Sequence, residues 1–291
     1  MNKPESIDPF LPSIWKLAHG REIELGPRAV LMGIVNVTPD SFSDGGLHWD
    51  RDAAIRQARA LHEQGAAIID IGGESTRPGA DPVTAAEEQD RVLPVIEALS
   101  KESGLVLSVD TWHADTARLA IQAGAHIVND VSGLAGDESM AALIAETGAG
   151  CIAMHNGRGL EKLADVIEDQ IALLSKCIAR ARKAGIASES LLLDPGFGFA
   201  KDVEYNITLL ARLEEVLALG YHFVTGTSRK RFIGHFTGRD ASDRDIGTVA
   251  TSVVARMKGS AVLRVHDVAA NADALAIADA VLEAAGRVRR A

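Results

Sequence analysis

The sequence predicts an α/β protein: a single-domain (β/α)8 TIM barrel over residues 30–291, preceded by an N-terminal capping segment over residues 1–29. Three observations predict it. Eight short apolar runs, rich in β-branched residues, recur at intervals of roughly 20 to 40 residues, and a stretch with helical periodicity follows each, as in βαβ units. The runs are continuously apolar rather than alternating, as parallel strands covered on both faces are. No GxGxxG turn follows the first run, which argues against the competing architecture, a doubly wound open sheet with a dinucleotide site.

The runs begin near Leu31 (LMGIVNV), Ala67 (AIIDIGG), Val106 (VLSVD), Ile127 (IVNDV), Gly150 (GCIAM), Leu191 (LLLDPG), His222 (HFVTG) and Ala261 (AVLRV). After the fifth, Leu163, Val166, Ile167, Ile171, Leu174 and Ile178 fall on one stripe at spacings of three and four, predicting an amphipathic helix. Lys176, Arg180 and Arg182 crowd its end before Gly185, the charge preference and stop signal of a helix carboxyl terminus. The first 29 residues lie outside the repeat and read as a cap over the barrel floor. No linker interrupts the remainder, so one domain is expected.

Composition narrows the function classes. The chain has 291 residues, 47% apolar and 24% charged, with a net charge of −10. Such a surface repels nucleic acid and anionic lipid, so neither is an expected partner. Two cysteines, Cys151 and Cys177, are too few for a disulfide framework and lack metal-ligand spacing. No apolar leader opens the sequence, and no apolar run approaches the roughly 20 residues that span a bilayer. A cytoplasmic protein is expected. Walker A, HExxH, GxSxG and CxxC sequences are all absent.

The carboxyl ends of the runs carry polar residues. In chain order these are Asn36; Asp70 with Glu74-Ser75-Thr76-Arg77; Asp110; Asn129-Asp130; Met154-His155; Asp194; Ser228-Arg229-Lys230; and Arg264-Val265-His266. In a (β/α)8 barrel all of these reach one rim, the face where such enzymes carry out chemistry. A single strand-end Asp is ordinarily a helix cap or a structural hydrogen-bond hub. Eight polar tips together are costly to desolvate without a ligand, so the rim reads as a binding site.

Two chemistries are expected there. Asp110, Asn129 and Asp194 offer acceptors to a ligand edge with several N–H donors, such as an aminopyrimidinone, and Met154 and Phe199 suit the faces of a flat ring. Arg77, Lys230, Arg264 and His266 form a basic set suited to phosphate oxygens. Two polar loops, Asn36–Gly46 and Gly72–Gly79, have the character of lids. Asn36, with Asp40 or Asp44, supplies hard oxygen atoms of the kind Mg²⁺ accepts beside a diphosphate.

Seven segments of the chain resemble the dihydropteroate synthase family: GIVNVTPDSFSDGG, IDIGGESTRPGA, SVDT, VNDVSG, LDPGFGFAK, SRKRFIG and RVHDV, in this order and at the ends of the predicted strands. The resemblance implies a (β/α)8 barrel that condenses 6-hydroxymethyl-7,8-dihydropterin diphosphate with 4-aminobenzoate, uses Mg²⁺ and forms a homodimer. It also implies site roles. Asp110, Asn129, Asp194 and Lys230 would hold the pterin, and Thr76, Arg77, Arg264 and His266 the diphosphate. Asn36 would hold the metal, while Met154, Phe199, Gly226 and Val265 complete the substrate contacts. Asp110, Asp194 and Lys230 would carry the catalysis.

The chain departs from the family pattern at Arg231, where SRKS is common, and after strand five, where it reads Met154-His155-Asn156-Gly157-Arg158-Gly159 and many members carry a second Met. Three rivals are a corrinoid-dependent pterin methyltransferase, an inert pterin-binding paralogue and an unrelated phosphate-binding barrel. The Ser228-Arg229-Lys230 and Arg264-Val265-His266 segments argue against the first. The intact polar set argues against the second, and the Asp110, Asn129 and Asp194 trio against the third.

Overall fold

Eight parallel strands form a ring with helices outside it, in a computed structural model that describes residues 7–38, 46–74, 83–102 and 104–288. A hairpin comes first, β1 (Ser13–Lys16) antiparallel to β2 (Glu22–Leu25). The ring comprises β3 (Val30–Asn36), β4 (Ile68–Gly72), β5 (Val106–Asp110), β6 (Ile127–Asp130), β7 (Gly150–Met154), β8 (Leu191–Asp194), β9 (Val224–Thr225) and β10 (Val262–Val265). Neighbours in space are neighbours in sequence from β3 to β8, and β10 pairs with both β3 and β9. A single parallel bridge, Leu193 with Phe223, joins β8 to the residue before β9 and closes the circle. All eight expected runs are strands of this barrel.

Ten α-helices lie among the described residues: α1 (Gly46–Glu63), α2 (Ala85–Leu99), α3 (Ala114–Ala123), α4 (Met140–Thr147), α5 (Val166–Ala184), α6 (Val203–Ala211), α7 (Leu213–Val216), α8 (Arg231–Thr237), α9 (Asp245–Met257) and α10 (Val268–Ala284). Four of their starts are chemically marked. Thr84 and Glu87 make a reciprocal capping box at α2, Asp165 accepts from the backbone of Ile167 and Glu168 at α5, and Asp202 and Asp267 cap α6 and α10. The α5 stripe buries Ile167, Leu174 and Ile178 against the barrel. Leu163, expected on that stripe, precedes the cap and is exposed, because Asp165 starts the helix after it.

Two apolar layers hold the barrel. The outer one packs Leu31, Val35, Ile69, Ile71, Leu107, Val109 and Leu193 against the helices. The inner one takes residues from the beginnings of the strands, among them Met32, Ile68, Val106, Ile127, Leu192, Val224 and Val262, and joins them to Trp15, Leu17 and Leu25 of the hairpin segment. The hairpin therefore plugs the amino-terminal end of the ring. Trp15 donates its indole N–H to the Ser190 carbonyl at 3.0 Å. The approach is so close that a β-carbon on Gly150 would stand 2.4 Å from Leu17 Cδ2, so a larger residue there would push the Leu17 side chain aside. A fully buried guanidinium, Arg256, anchors the same end through Asp279 at 2.6 Å and the Gly26 carbonyl at 2.8 Å.

Candidate active site

With the lower end plugged, the polar residues collect at the opposite, carboxyl-terminal mouth. Strand register sets them side by side: Asn36 pairs with Gly72 and Gly72 with Asp110, Asp110 with Asn129, and Met154 with Asp194. A narrow pocket is lined by Asp110, Asn129, Met154, Asp194, Phe199, Gly226, Lys230 and Arg264, bringing together eight of the thirteen residues expected to form the site. A larger cavity of about 250 Å³ lies beside it between the segments that follow β7 and β8, and Phe199 stands in the wall they share.

The electrostatic centre is Arg264 on β10. Its Nε donates to Asp70 Oδ2 at 2.6 Å, and its Nη2 donates to Asp110 Oδ2 at 2.7 Å. Asp70 Oδ2 also accepts from Asn129 Nδ2 at 3.1 Å, which leaves the Asn129 carbonyl oxygen as the group it can offer a ligand. One guanidinium thus serves two carboxylates. Burial, with Asp70 and Glu88 nearby, pushes the Asp110 carboxyl above its usual range against the pull of Arg264. Burial also raises Asp194, although its Oδ1 accepts the Gly196 N–H at 2.7 Å.

Lys230 stands at the start of α8, its Nζ 4.5 Å from the centre of the Phe199 ring. Withdrawal from water, and then the Arg264 charge, lower its pKa to about 8, so it remains cationic at neutral pH. Met154, 2% exposed, and Phe199, 9% exposed, are nearly buried yet both line the pocket, as a ring-binding pair must.

The two chemistries that the sequence separates are not separate here. Arg264 is paired with the acidic set as well, because its strand places it at the level of Asp70. His266 is not a cation. Burial first, then the Arg229 and Arg264 charges, lower its pKa to about 3, and its Nδ1 lies 2.8 Å from Ser228 Oγ. Arg229 is engaged by Asp245 at 2.8 Å. Val265 faces the outer apolar layer, so only its backbone is available to a ligand. Asn36 is half-buried at the end of β3, and Arg231 is exposed at the first position of α8. Thr76 and Arg77, with Asp40 and Asp44, lie outside the described residues.

Three residues of the site went unclaimed by sequence reasoning. Asp70 was legible as a carboxylate inside an apolar run, but nothing in one dimension showed Arg264 as its partner. Ser228 carries no signal beyond its strand-end position, and Lys201, in the segment between β8 and α6, carries none. Both cysteines are buried, and burial lifts the Cys177 thiol to about 11, so neither is a nucleophile.

Comparison with known proteins agrees with this geometry. The family model described as pterin binding enzyme matches residues 32–266, which places the barrel in the class of pterin-binding enzymes. A dihydropteroate synthase of Bacillus subtilis (strain 168) is 43% identical over 259 residues, covering 89% of this chain and 90% of the relative. The Escherichia coli (strain K12) dihydropteroate synthase is 42% identical over 273 residues, covering 92% and 96%. Among solved structures, the Xanthomonas albilineans dihydropteroate synthase with 4-aminobenzoic acid superposes with a TM-score of 0.87 at 43% identity, covering 92% of this chain and 98% of that one. The same organism's enzyme in complex with 7,8-dihydropteroate gives 0.84 at 42% identity, covering 91% and 98%. This chain belongs to the dihydropteroate synthase family.

Proposed function

We propose that this protein condenses (7,8-dihydropterin-6-yl)methyl diphosphate with 4-aminobenzoate, giving 7,8-dihydropteroate and diphosphate in folate biosynthesis. The observation that carries this reading is the pocket in which Asp110, Asn129 and Asp194 present acceptors beside Lys230 and Arg264. An aminopyrimidinone edge supplies the N–H donors those acceptors need. Met154 and Phe199 hold the ring faces, and Gly226 leaves room beside Arg264.

The carbon–oxygen bond to diphosphate breaks first, in an SN1-like step. Positive charge spreads over the electron-rich dihydropterin, where Asp110 and Asp194 stabilise it. Lys230, Thr76, Arg77 and Arg264 draw off the negative charge of the leaving group, and neutral His266 donates a hydrogen bond. The aniline nitrogen then bonds to the methylene carbon, and its proton leaves with diphosphate. No covalent enzyme intermediate is needed.

A Mg²⁺ cofactor fits the donor set. The half-buried Asn36 amide offers a hard oxygen at the rim, and Mg²⁺ typically takes one or two protein oxygens and completes its shell with phosphate oxygens and water. Asn36 would hold it, and when bound it would neutralise diphosphate charge. A second cluster, Glu74, Glu88 and His113, has ligand atoms within 4.8 Å of one another, but Thr111 and Trp112 already donate to its carboxylates.

The protein acts as a cytoplasmic homodimer. Ile246 is 87% exposed, and Ile277 and Val281 are also exposed, giving the packed helices α9 and α10 an apolar face suited to a second copy. No helix among the described residues is long and apolar enough to cross a membrane. The assay that tests the activity follows pteroate formation from the pterin diphosphate and 4-aminobenzoate, with and without Mg²⁺. Absence of product in both conditions defeats the reading, and loss of dependence on Mg²⁺ defeats its metal part.

A further inference from the structure

The segment after β8 is held in a backbone shape that its own sequence does not favour. Gly196 and Gly198 have φ of +67° and +79°, and Ala200, which carries a β-carbon, sits at +50°. Left-handed residues at three of five positions need an outside anchor. Lys201 supplies it. Its Nζ donates to the carbonyl oxygens of Gly196 at 2.9 Å, Phe199 at 3.1 Å and His155 at 3.1 Å. It also lies 3.1 Å from His155 Nδ1.

The histidine tautomer follows from its other neighbour: a carboxylate only accepts, so the ring proton rests on Nε2, facing Asp169, and Nδ1 faces Lys201. Nε2 lies 3.2 Å from Asp169 Oδ2, which in turn accepts the Tyr205 hydroxyl at 2.6 Å. The row of contacts Lys201–His155–Asp169–Tyr205, in which His155 Nε2 faces Asp169 without a formed hydrogen bond, runs from the segment after β8 to the end of β7, α5 and α6. All four residues line the larger cavity rather than the pterin pocket, so none of them touches the substrate directly.

The anchored segment is where three site residues meet. Gly196 N–H donates to Asp194 Oδ1, the Phe199 ring lies beneath Lys230 Nζ, and a β-carbon on Gly198 would stand 2.9 Å from Lys230 Cδ. Without the ammonium, three carbonyl oxygens would converge on one point with nothing to satisfy them.

We propose that Lys201 is a positioning residue: by gathering the carbonyls of His155, Gly196 and Phe199 it fixes the Asp194–Phe199 segment, and so sets the affinity for the pterin. This rests on reading the adjoining pocket as the pterin site. A purely structural lysine would lower stability without regard to Phe199, whereas a positioning lysine acts through it.

The test is a double-mutant cycle of Lys201→Met with Phe199→Ala, read by fluorescence titration with 6-hydroxymethylpterin and by steady-state kinetics. Lys201→Met is expected to raise the pterin Kd and KM about tenfold while kcat at saturation falls less than threefold. The double variant is expected to bind within twofold of Phe199→Ala alone. Lys201→Gln, which keeps two N–H donors, is expected to recover part of the affinity, and it carries the same cycle if the Met variant does not fold. Independent effects that multiply, or an unchanged Kd in Lys201→Met, overturn the proposal. A native protein that binds no pterin sinks the reading of the site itself, a result distinct from either.

Discussion

Replacing Asp70 by Asn isolates the contribution of one buried charge. The Asp70 carboxylate is fully buried, its Oδ2 takes both the Arg264 and the Asn129 hydrogen bonds, and its Oδ1 has no partner. A hydrogen bond to a charged partner contributes about 1.5–3 kcal/mol and a neutral one about 0.5–1.5 kcal/mol, so weakening the Arg264 contact costs about 1–1.5 kcal/mol. Relief of repulsion between Asp70 and Asp110 offsets part of that. A net loss of about 1 kcal/mol in stability follows, and because a neutral amide oxygen accepts the Asn129 bond more weakly than a carboxylate does, the Asn129 amide is held less firmly. Pterin affinity should then fall by about five- to tenfold, measured by fluorescence titration. Asp70→Leu leaves Arg264 with Asp110 alone and should cost about 3–5 kcal/mol, seen in chemical denaturation. If Asp70→Asn binds pterin within twofold of the native protein, Asp70 does not orient Asn129, and the account of the pocket floor is wrong.

Other expectations are more direct. Lys230→Ala and Asp194→Ala should each lower turnover at least about a hundredfold, the scale of losing one preorganised electrostatic contact; near-native turnover in either removes the role assigned to it. The Lys230 pKa is depressed from 10.5 to about 8, so its charge is present below that pH and lost above it. Affinity for the diphosphate substrate should therefore decline above pH 8 in the native protein, and Lys230→Met should flatten that limb of a pH titration. Because Arg264 is bound to both Asp70 and Asp110 and also serves the leaving group, Arg264→Ala should weaken free pterin and, more strongly, pterin diphosphate, and a loss confined to the diphosphate form would place Arg264 outside the pterin floor. Ile246→Asp should shift the sedimentation profile from dimer toward monomer, and an unchanged profile sends the dimer contact elsewhere on the surface.

The barrel was legible because its signals are local: each strand is a short β-branched run, and the starts of α2, α5, α6 and α10 carry an Asp or Thr at the cap. The mouth was legible for a related reason, since a polar residue ending an apolar run has only one face of the fold to reach. Pairing was not legible. Asp70 and Arg264 are separated by most of the chain, and only the ring closure through β10 and β3 brings them within 2.6 Å. His266 reads as a base by residue type, yet its protonation is set by burial, which depends on the packing around Ser228. Lys201 reads as a surface lysine until the left-handed turn around it appears.

The hairpin at the lower end has a temporal consequence. Residues 13–25 emerge before the barrel strands during synthesis, but the side chains that receive Trp15 and Leu25 are contributed by strands reaching as far as Val262. Their docking must await nearly the whole polypeptide, a route of high contact order. Nascent fragments truncated before the last strand would leave an unmet tryptophan and an open greasy well, the kind of surface that chaperones and proteases detect.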